Sequence, residues 1–271
     1  MKITGTTRIF TIMAHPSTHV TAPAIFNHIF EILSLDMAYI AHDTTPEAVQ
    51  VTLSAYRVWN NLGGFNVTIP HKESVGGLLD RLLPPASSIG VVNTVVRSPE
   101  GVLTGYNTDG VGAVKAIGDV HGARCLMIGA GGAARAVVDA LLKAGAGRVS
   151  ILNRTPERSL KLIRCFPAGA VELFNPDMLQ DTDVVVQATP IVDHVPLGLD
   201  IRGLRAGTRV LEMVMKDTAL SREALRRGLV LIPGYRMLYH QTQENFRLLT
   251  GVEVSNELIS RAFRAAGFCV S

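Results

Sequence analysis

The amino-acid sequence has little of what marks secreted, disulfide-stapled or membrane proteins. No apolar run reaches the roughly 18–20 residues of a membrane-spanning helix, and the first residues lack the apolar segment of a secretory signal. Only three of the 271 residues are cysteines. They are too few and too far apart for a disulfide framework, so we expect reduced, mostly buried thiols at Cys125, Cys165 and Cys269. These absences predict a cytoplasmic protein that does not insert into membranes.

Charge is also scarce, and the two signs are nearly balanced. Charged residues make up 18% of the chain, and the formal net charge is +3. Neither a basic run nor aromatic–basic interleaving accompanies this small excess, which argues against a nucleic-acid partner. No group of His, Cys, Asp or Glu has the spacing of metal ligands, so we expect no metal site. With 47% hydrophobic residues, the chain is too apolar for a disordered protein.

Strand-like and helix-like segments alternate along the chain, which predicts a parallel α/β architecture. The predicted strands are Arg8–Ala14, Phe65–Ile69, Val91–Val96, Val102–Tyr106, Arg124–Ile128, Val149–Leu152, Asp183–Gln187, Arg209–Met213 and Leu229–Ile232. One predicted helix begins near Pro23. The others cover Pro46–Leu62, Gly110–Ile117, Ala133–Ala144, Tyr235–Thr250 and Asn256–Ala266.

These segments divide into two predicted domains. Residues 1–108 form an N-terminal α/β domain, and residues 109–234 form a Rossmann-type, doubly wound domain that binds a dinucleotide. The helices within 235–271 are expected to pack back on the first domain. The cleft between the two domains is where we expect the chemistry.

A glycine-rich turn carries the dinucleotide prediction. The segment Gly129–Ala134 matches the G-x-G-x-x-G/A fingerprint between a predicted strand and a predicted helix. Gly129 permits the tight turn, Gly131 lets the backbone approach a pyrophosphate, and Ala134 keeps the helix close to the strand. The helix N-terminus adds free N–H groups and a positive dipole. The predicted cofactor contacts are Gly129, Ala130, Gly131, Gly132 and Ala133.

The next strand ends in a segment that indicates which dinucleotide binds. NAD-selecting proteins usually place Asp or Glu here, for the ribose 2′-hydroxyl, whereas a cation accommodates the 2′-phosphate of NADP. This chain has Asn153, Arg154 and Thr155, with Arg158 one turn further on. The segment therefore favours NADP, with NAD as the alternative.

Three further motifs resemble the shikimate dehydrogenase family. They are Gly64–Glu73 (GFNVTIPHKE), Val92–Thr94 (VNT) and Gly105–Asp109 (GYNTD), and Met237–Gln241 (MLYHQ) extends the similarity to nearly the whole chain. The resemblance implies a two-domain, NADP-linked oxidoreductase whose first domain binds substrate and whose reaction interconverts shikimate and 3-dehydroshikimate. Some relatives use quinate or aminoshikimate instead.

The resemblance also implies roles for individual residues. Lys72 and Asp109 are the implied catalytic pair, because oxidation of a secondary alcohol needs a group that exchanges a proton with the substrate oxygen. Short polar and amide side chains suit polyol hydroxyls. The implied substrate contacts of this kind are Asn66, Thr68, Asn93 and Gln241.

The loop before the first helix departs from the family pattern. The family usually carries Ser-x-Ser-Pro there, and its two hydroxyls hold the substrate carboxylate. Aligned on Pro23 and Asn27, this chain has Val20 and Ala22 at the serine positions. We therefore expect weaker carboxylate binding, with the neighbouring Thr21 as a candidate substrate contact.

Other side chains of the loop offer alternatives. Ser17 and Thr18 substitute for the serines if the loop is shifted. His15 or His19 instead binds an anion or another substrate group.

Two changes in the second domain lie where the family contacts the nicotinamide. Met215 stands in place of a tyrosine, and Pro190 stiffens the stretch that follows Gln187. Met213 is the candidate cofactor contact on this side.

These observations predict an NAD(P)-dependent oxidoreductase that acts on a shikimate- or quinate-like polyol, as a monomer or a homodimer. The reaction belongs to aromatic amino acid biosynthesis or to quinate and shikimate metabolism. A non-catalytic NAD(P)-binding sensor is the first alternative. The second is a dehydrogenase for a different substrate on the same scaffold, such as a folate-type dehydrogenase.

Overall fold

The computed structural model describes residues 2–270 and divides the chain into two compact units. The first unit comprises Met1–Thr108 with Gln241–Ser271, and the second comprises Asp109–His240. The second boundary therefore follows residue 240, inside a helix, rather than residue 234 as the sequence analysis proposed.

Strands and helices alternate through both units. The strands are β1 (Arg8–Ala14), β2 (Met37–Asp43), β3 (Leu62–Val67), β4 (Arg81–Leu82), β5 (Thr94–Arg97), β6 (Leu103–Tyr106), β7 (Arg124–Ile128), β8 (Arg148–Leu152), β9 (Val171–Leu173), β10 (Val184–Gln187), β11 (Arg209–Glu212) and β12 (Val230–Pro233). The helices are α1 (Ala22–Ile32), α2 (Val49–Val58), α3 (Ala86–Ile89), α4 (Asp109–Ile117), α5 (Gly132–Lys143), α6 (Pro156–Ile163), α7 (Ala219–Arg226), α8 (Gly234–Thr250) and α9 (Asn256–Ala265). Short 3-10 segments connect several of them.

The sheet of the first unit is mixed. Its strand order is β2-β1-β3-β5-β6-β4, with β1 parallel to β2 and β3, and with β5 antiparallel to β3 and β6. The hairpin of β5 and β6 makes this sheet mixed rather than wholly parallel, because its short connection allows only an antiparallel pair. Since β5 runs against β3, the start of β5 lies beside the end of β3.

The sheet of the second unit is parallel throughout, in the order β12-β11-β10-β7-β8-β9. This order is that of a Rossmann domain. The first strand is β7; the chain adds β8 and β9 on one side of it and then crosses over to add β10, β11 and β12 on the other, so the strand order reverses between β7 and β10. Helices α4 and α5 pack closely, since a Cβ at Gly110 would lie 2.5 Å from the carbonyl oxygen of Ala136. Ligands of such sheets bind outside the carboxyl ends of the strands, at that reversal.

The core of each unit is built from the buried faces of these elements. In the first unit, aromatic rings stack between α1, β2 and α8, with the ring centroids of Phe26 and Tyr39 4.5 Å apart and those of Phe26 and Phe246 5.6 Å apart. In the second unit, the strands contribute consecutive buried residues such as Val184, Val185 and Val186. Buried runs of this kind are typical of parallel sheets covered on both faces.

Several expectations need correction. The sequence analysis did not assign β2, β4, β9, α3, α6 or α7. Cys125 is buried, but Cys165 and Cys269 are exposed, so the expectation of mostly buried thiols is wrong. Cys165 follows the end of α6 and Cys269 follows that of α9, and both positions face solvent. Within residues 2–270, no helix combines the length and the apolarity needed to cross a membrane.

Candidate functional site

Polar side chains gather at one edge of the first unit's sheet, where β3 ends and the β5–β6 hairpin opens. Asn66 is opposite Thr94 across the β3–β5 ladder, and Thr94 is opposite Tyr106 across the β5–β6 ladder. The residues that flank these strands, Asn93 and Thr108, therefore arrive at the same edge. The sheet thus brings the predicted Asn66 and Asn93 together.

Hydrogen bonds fix the amide of Asn66. Its Nδ2 donates to the carbonyl oxygen of Asn93 (3.1 Å) and to Oγ1 of Thr94 (2.9 Å), and its Oδ1 accepts from the hydroxyl of Tyr39 (2.6 Å). Both amide protons are thereby engaged within the protein. Asn66 therefore organises the site, and only its carbonyl oxygen has acceptor capacity left for a substrate.

Asn93 is fixed in a similar way, by the start of the next segment. Its Nδ2 donates to Oγ1 of Thr108 (2.8 Å), and its Oδ1 accepts from the amide of Thr108 (3.0 Å). Asn245 on α8 accepts from the hydroxyls of Thr94 and Thr108, each at 2.8 Å. The sequence analysis missed Asn245, although it lies four residues after Gln241 and therefore on the same face of the helix.

Lys72 belongs to a segment that is tied to the sheet on both sides. The amide of Val92 donates to the carbonyl oxygen of Lys72 (2.9 Å), and the amide of Thr68 donates to that of Met13 (3.0 Å). The buried ring of His71 donates from Nε2 to the carbonyl oxygen of Thr44 (2.7 Å), and burial lowers the pKa of this imidazole. Lys72 and Thr68 are half-buried at the end of β3, so both predicted residues lie at this edge.

The first turn of α1 offers few hydrogen-bond donors. Thr21 occupies the N-cap position but makes no side-chain capping bond. Pro23 has no N–H, and the amides of Ala24 and Ile25 donate to the carbonyl oxygen of Thr21 (3.2 and 3.4 Å). With Val20 immediately before this turn, the hydroxyl of Thr21 is the one side-chain donor that residues 20–25 contribute.

In the second unit, the glycine turn has the geometry that the fingerprint predicts. Gly129 has φ +114°, a region that favours glycine, and a Cβ there would lie 3.1 Å from Cγ2 of Thr189. Gly131 is the extended N-cap residue of α5, and Gly132 opens the helix. Helix starts with free N–H groups after a glycine turn commonly bind phosphate groups, and Ala130 and Ala133 belong to this turn.

The end of β8 exposes two cations beside that turn. Asn153 folds back, and its Nδ2 donates to the carbonyl oxygen of Thr155, which is the N-cap residue of α6. Arg154 and Arg158 are exposed, and neither forms an ion pair within the described residues. Both guanidinium groups are therefore available to an anionic ligand.

A buried carboxyl group shapes the loop that contains Met213. Glu212, the last residue of β11, accepts from the amide of Val214 (3.0 Å) and from the hydroxyl of Thr218 (2.6 Å). The amide of Met213 donates to the carbonyl oxygen of Gln187 (3.0 Å). Burial raises the pKa of Glu212 to about 7. The loop geometry therefore depends on a group that titrates near neutral pH.

The described residues contain no cluster of three or more His, Cys, Asp or Glu side chains that could hold a metal ion. What they offer is a set of fixed amides and hydroxyls and one lysine in the first unit, and a glycine turn at a helix start in the second.

Comparison with known proteins places the chain in a family. Residues 12–95 match the family description "Shikimate dehydrogenase substrate binding domain", and residues 112–223 match "Shikimate / quinate 5-dehydrogenase". The shikimate dehydrogenase (NADP(+)) of Rubrobacter xylanophilus is 38% identical over 281 residues, which cover 98% of this chain and 99% of the relative. The chain belongs to the shikimate dehydrogenase family.

Solved structures of the family agree with this assignment. The shikimate dehydrogenase of Aquifex aeolicus has a TM-score of 0.90 and 32% identity, and the match covers 97% of this chain and all of that one. The Thermus thermophilus enzyme, solved in complex with NADP(H) and shikimate, has a TM-score of 0.85 and 33% identity, covering 95% of this chain and 99% of that one. Family membership confirms the resemblance, the two-domain α/β fold and the oxidoreductase class predicted from the sequence.

Each unit of this family member holds part of the predicted site. Asn66, Thr68, Lys72, Asn93 and Gln241 belong to the first unit, together with Thr21. Asp109 begins the second unit and is buried. The residues that the sequence analysis missed are those that fix the amides, namely Tyr39, Thr94, Thr108 and Asn245.

Glu212 should make the stability of this family member depend on pH. Its pKa is about 7 in the fold and about 4.3 in an unfolded chain. The protonated form is therefore favoured by folding, and the stabilisation is complete below about pH 4 and lost as the pH rises through 7. The shift corresponds to about 3–4 kcal/mol.

We expect Glu212→Gln to abolish this loss, as measured by urea unfolding of both proteins at pH 5 and pH 8. The exposed Glu157 supplies the control, since Glu157→Gln should keep the wild-type difference between the two pH values. If the free energy of unfolding falls between pH 5 and pH 8 by the same amount in wild type and in Glu212→Gln, the expectation is contradicted.

Proposed function

We propose that this protein is an NADP-dependent shikimate dehydrogenase, which interconverts shikimate and 3-dehydroshikimate. The observation that carries the proposal is the amide and hydroxyl network around Asn66 and Asn93, next to Lys72, in a family whose curated relatives act on shikimate with NADP. The glycine turn of the second unit supports the cofactor assignment, because its backbone suits a pyrophosphate and Gly129 has a positive φ that residues with a side chain rarely adopt.

The residues fit NADP better than NAD. The 2′-phosphate of NADP is an anion, and Arg154 and Arg158 are exposed cations beside the segment that follows β8. No Asp or Glu stands at Asn153–Thr155 to accept from a ribose hydroxyl. When it is bound, the nicotinamide ring accepts a hydride from the substrate or donates one to it.

The proton chemistry belongs to the chain itself. Lys72 donates a proton to the substrate carbonyl oxygen during reduction and takes one from the hydroxyl during oxidation. Asp109 is the second member of the pair, in the position that directly follows Thr108. Asn93 bonds the amide and the hydroxyl of Thr108. The backbone position of Asp109, the next residue, is therefore held in place from its N-terminal side.

The substrate is held by groups that suit a polyol. Thr68, Asn93 and Gln241 offer hydroxyl and amide groups, while Asn66 contributes its carbonyl oxygen and keeps Asn93 in place. The hydrogen bonds of Asn66 and Asn93 are made before the substrate arrives, so these two side chains lose little conformational entropy when it binds.

Initial rates with shikimate, quinate and aminoshikimate, each with NADP and with NAD, test the proposal. We expect turnover with shikimate and NADP, and at least about tenfold higher kcat/KM with NADP than with NAD, because two arginine–phosphate bonds are lost with NAD. Absence of turnover with all three substrates would refute the proposal, and equal use of both cofactors would refute its NADP part.

A further inference from the structure

His15 and Asp43 form a dyad that no predicted catalytic role uses. His15 directly follows β1, and Asp43 is the last residue of the neighbouring parallel strand β2. Nδ1 of His15 lies 2.7 Å from Oδ1 of Asp43. The amide of Ser17 donates to the other carboxylate oxygen, Oδ2 (2.7 Å). The hydrogen bonds from His15 and Ser17 lower the pKa of Asp43 to about 2. Asp43 is therefore ionised at neutral pH.

The ionised carboxylate sets the tautomer of the ring. A carboxylate only accepts hydrogen bonds, so Nδ1 of His15 carries the proton that it donates to Asp43. In the neutral ring, Nε2 is then a hydrogen-bond acceptor that faces away from Asp43. Nε2 has no hydrogen-bond partner among residues 2–270, and the side chain of His15 is 43% exposed. The ring is thus held in one orientation with its second nitrogen accessible.

The dyad lies at the edge of the sheet that carries Thr68 and Lys72. The amide of His15 donates to the carbonyl oxygen of Ile69 (3.2 Å), one residue after Thr68. His71, which precedes Lys72, donates to the carbonyl oxygen of Thr44, one residue after Asp43. His15 is also close enough to His71 for their charges to interact. These bonds attach the dyad on both sides to the segment that contains Lys72.

The charge of the dyad indicates the kind of group it recognises. Asp43 contributes −1, so the dyad carries −1 with a neutral ring and 0 with an imidazolium. The carboxylate of Glu47 and the buried imidazole of His71 also interact electrostatically with His15. None of these groups gives the loop a net positive charge. A carboxylate gains nothing electrostatically here, whereas a hydroxyl finds an oriented acceptor.

We propose that His15 is a specificity-determining residue whose Nε2 accepts a hydrogen bond from a substrate hydroxyl, and that Asp43 is the positioning residue that fixes the ring. The inference rests on the proposed function, in that it takes the substrate to be a polyol bound beside Lys72. It adds that the beginning of the loop after β1, at His15, recognises a substrate hydroxyl.

The experiment compares KM and kcat of wild type and His15→Ala with shikimate and NADP, and with shikimate analogues that lack one hydroxyl each. We expect KM for shikimate to rise about tenfold, the equivalent of one hydrogen bond, while kcat changes less than twofold. The analogue that lacks the hydroxyl bound by His15 should have the same KM in wild type and in His15→Ala, because the contact is already missing. His15→Gln, which restores an acceptor of similar reach, should recover part of the affinity.

Two further variants separate recognition from a structural effect. Asp43→Ala should raise KM, and the double variant His15→Ala with Asp43→Ala should be no worse than His15→Ala alone, because both act through one contact. His121→Ala, which removes an exposed histidine of the second unit, should leave KM unchanged. An unchanged KM in His15→Ala, or the same rise for shikimate and every deoxy analogue, would overturn the inference.

Failure of the proposed function is seen separately, in the wild-type protein. If no shikimate-class substrate turns over, calorimetric titration of shikimate into wild type and His15→Ala still tests the dyad. A Kd that is about tenfold weaker in the variant supports it, and equal Kd values or no binding by either protein overturn it.

Discussion

Replacing Lys72 with alanine should lower kcat for shikimate oxidation by about 10³-fold, with KM changed only a fewfold. The expected size is that of a general acid–base group, whose removal typically costs 10²–10⁴ in rate. KM should change little, because the amides and hydroxyls around Asn93 and Asn245 that shape the substrate site remain in place. Steady-state rates in both directions provide the measurement.

The variant should fold, because the fixed parts of this segment are its backbone and its neighbours. Val92 bonds the carbonyl group of Lys72, and the ring of His71 bonds Thr44. Neither bond uses the lysine side chain. Lys161→Ala, which removes an exposed lysine of α6, is the matched control and should retain full activity.

Exogenous amines sharpen the test. If Lys72 exchanges the proton, small primary amines should restore part of the activity of Lys72→Ala, and they should not affect wild type. A kcat within tenfold of wild type in the alanine variant would show that another group exchanges the proton.

The strands of the second unit could largely be predicted from the sequence, although its helices α6 and α7 could not. Gly129–Ala134 lies between a buried strand and a helix, as the fingerprint requires, and five of the six strands of the sheet begin and end within one or two residues of their predicted limits. The exception, β9, has three residues at the edge of the sheet, where so short a pattern of apolar residues carries no periodicity.

The first unit was harder to predict, because its site depends on contacts between distant segments. β2 was not assigned, although it supplies Tyr39, which bonds Asn66, and Asp43, which bonds His15. The partners in these pairs are 27 and 28 residues apart, so no local pattern connects them. Sequence motifs therefore located the residues expected to meet the substrate, and the structure identified those that hold them in place.

The loop before α1 leads to the second large effect. Adding both missing hydroxyls, as Val20→Ser with Ala22→Ser, should lower KM for shikimate by about 100-fold or more and leave kcat unchanged. Each hydrogen bond to a carboxylate contributes about 1.5–3 kcal/mol, so two correspond to at least two orders of magnitude in affinity. Steady-state kinetics of wild type, both single variants and the double variant measure it.

The physical reason lies in the first turn of α1. Pro23 lacks an N–H, and the amides of Ala24 and Ile25 bond the carbonyl oxygen of Thr21, so few backbone donors remain for a carboxylate. Ala24→Ser adds a hydroxyl to the same turn, at an exposed position, and should leave KM unchanged. If the double variant also leaves KM unchanged, the substrate carboxylate does not approach this turn. In that case the hydroxyl that His15 is proposed to recognise belongs to the side of the substrate that faces the whole loop, including residues 20–22.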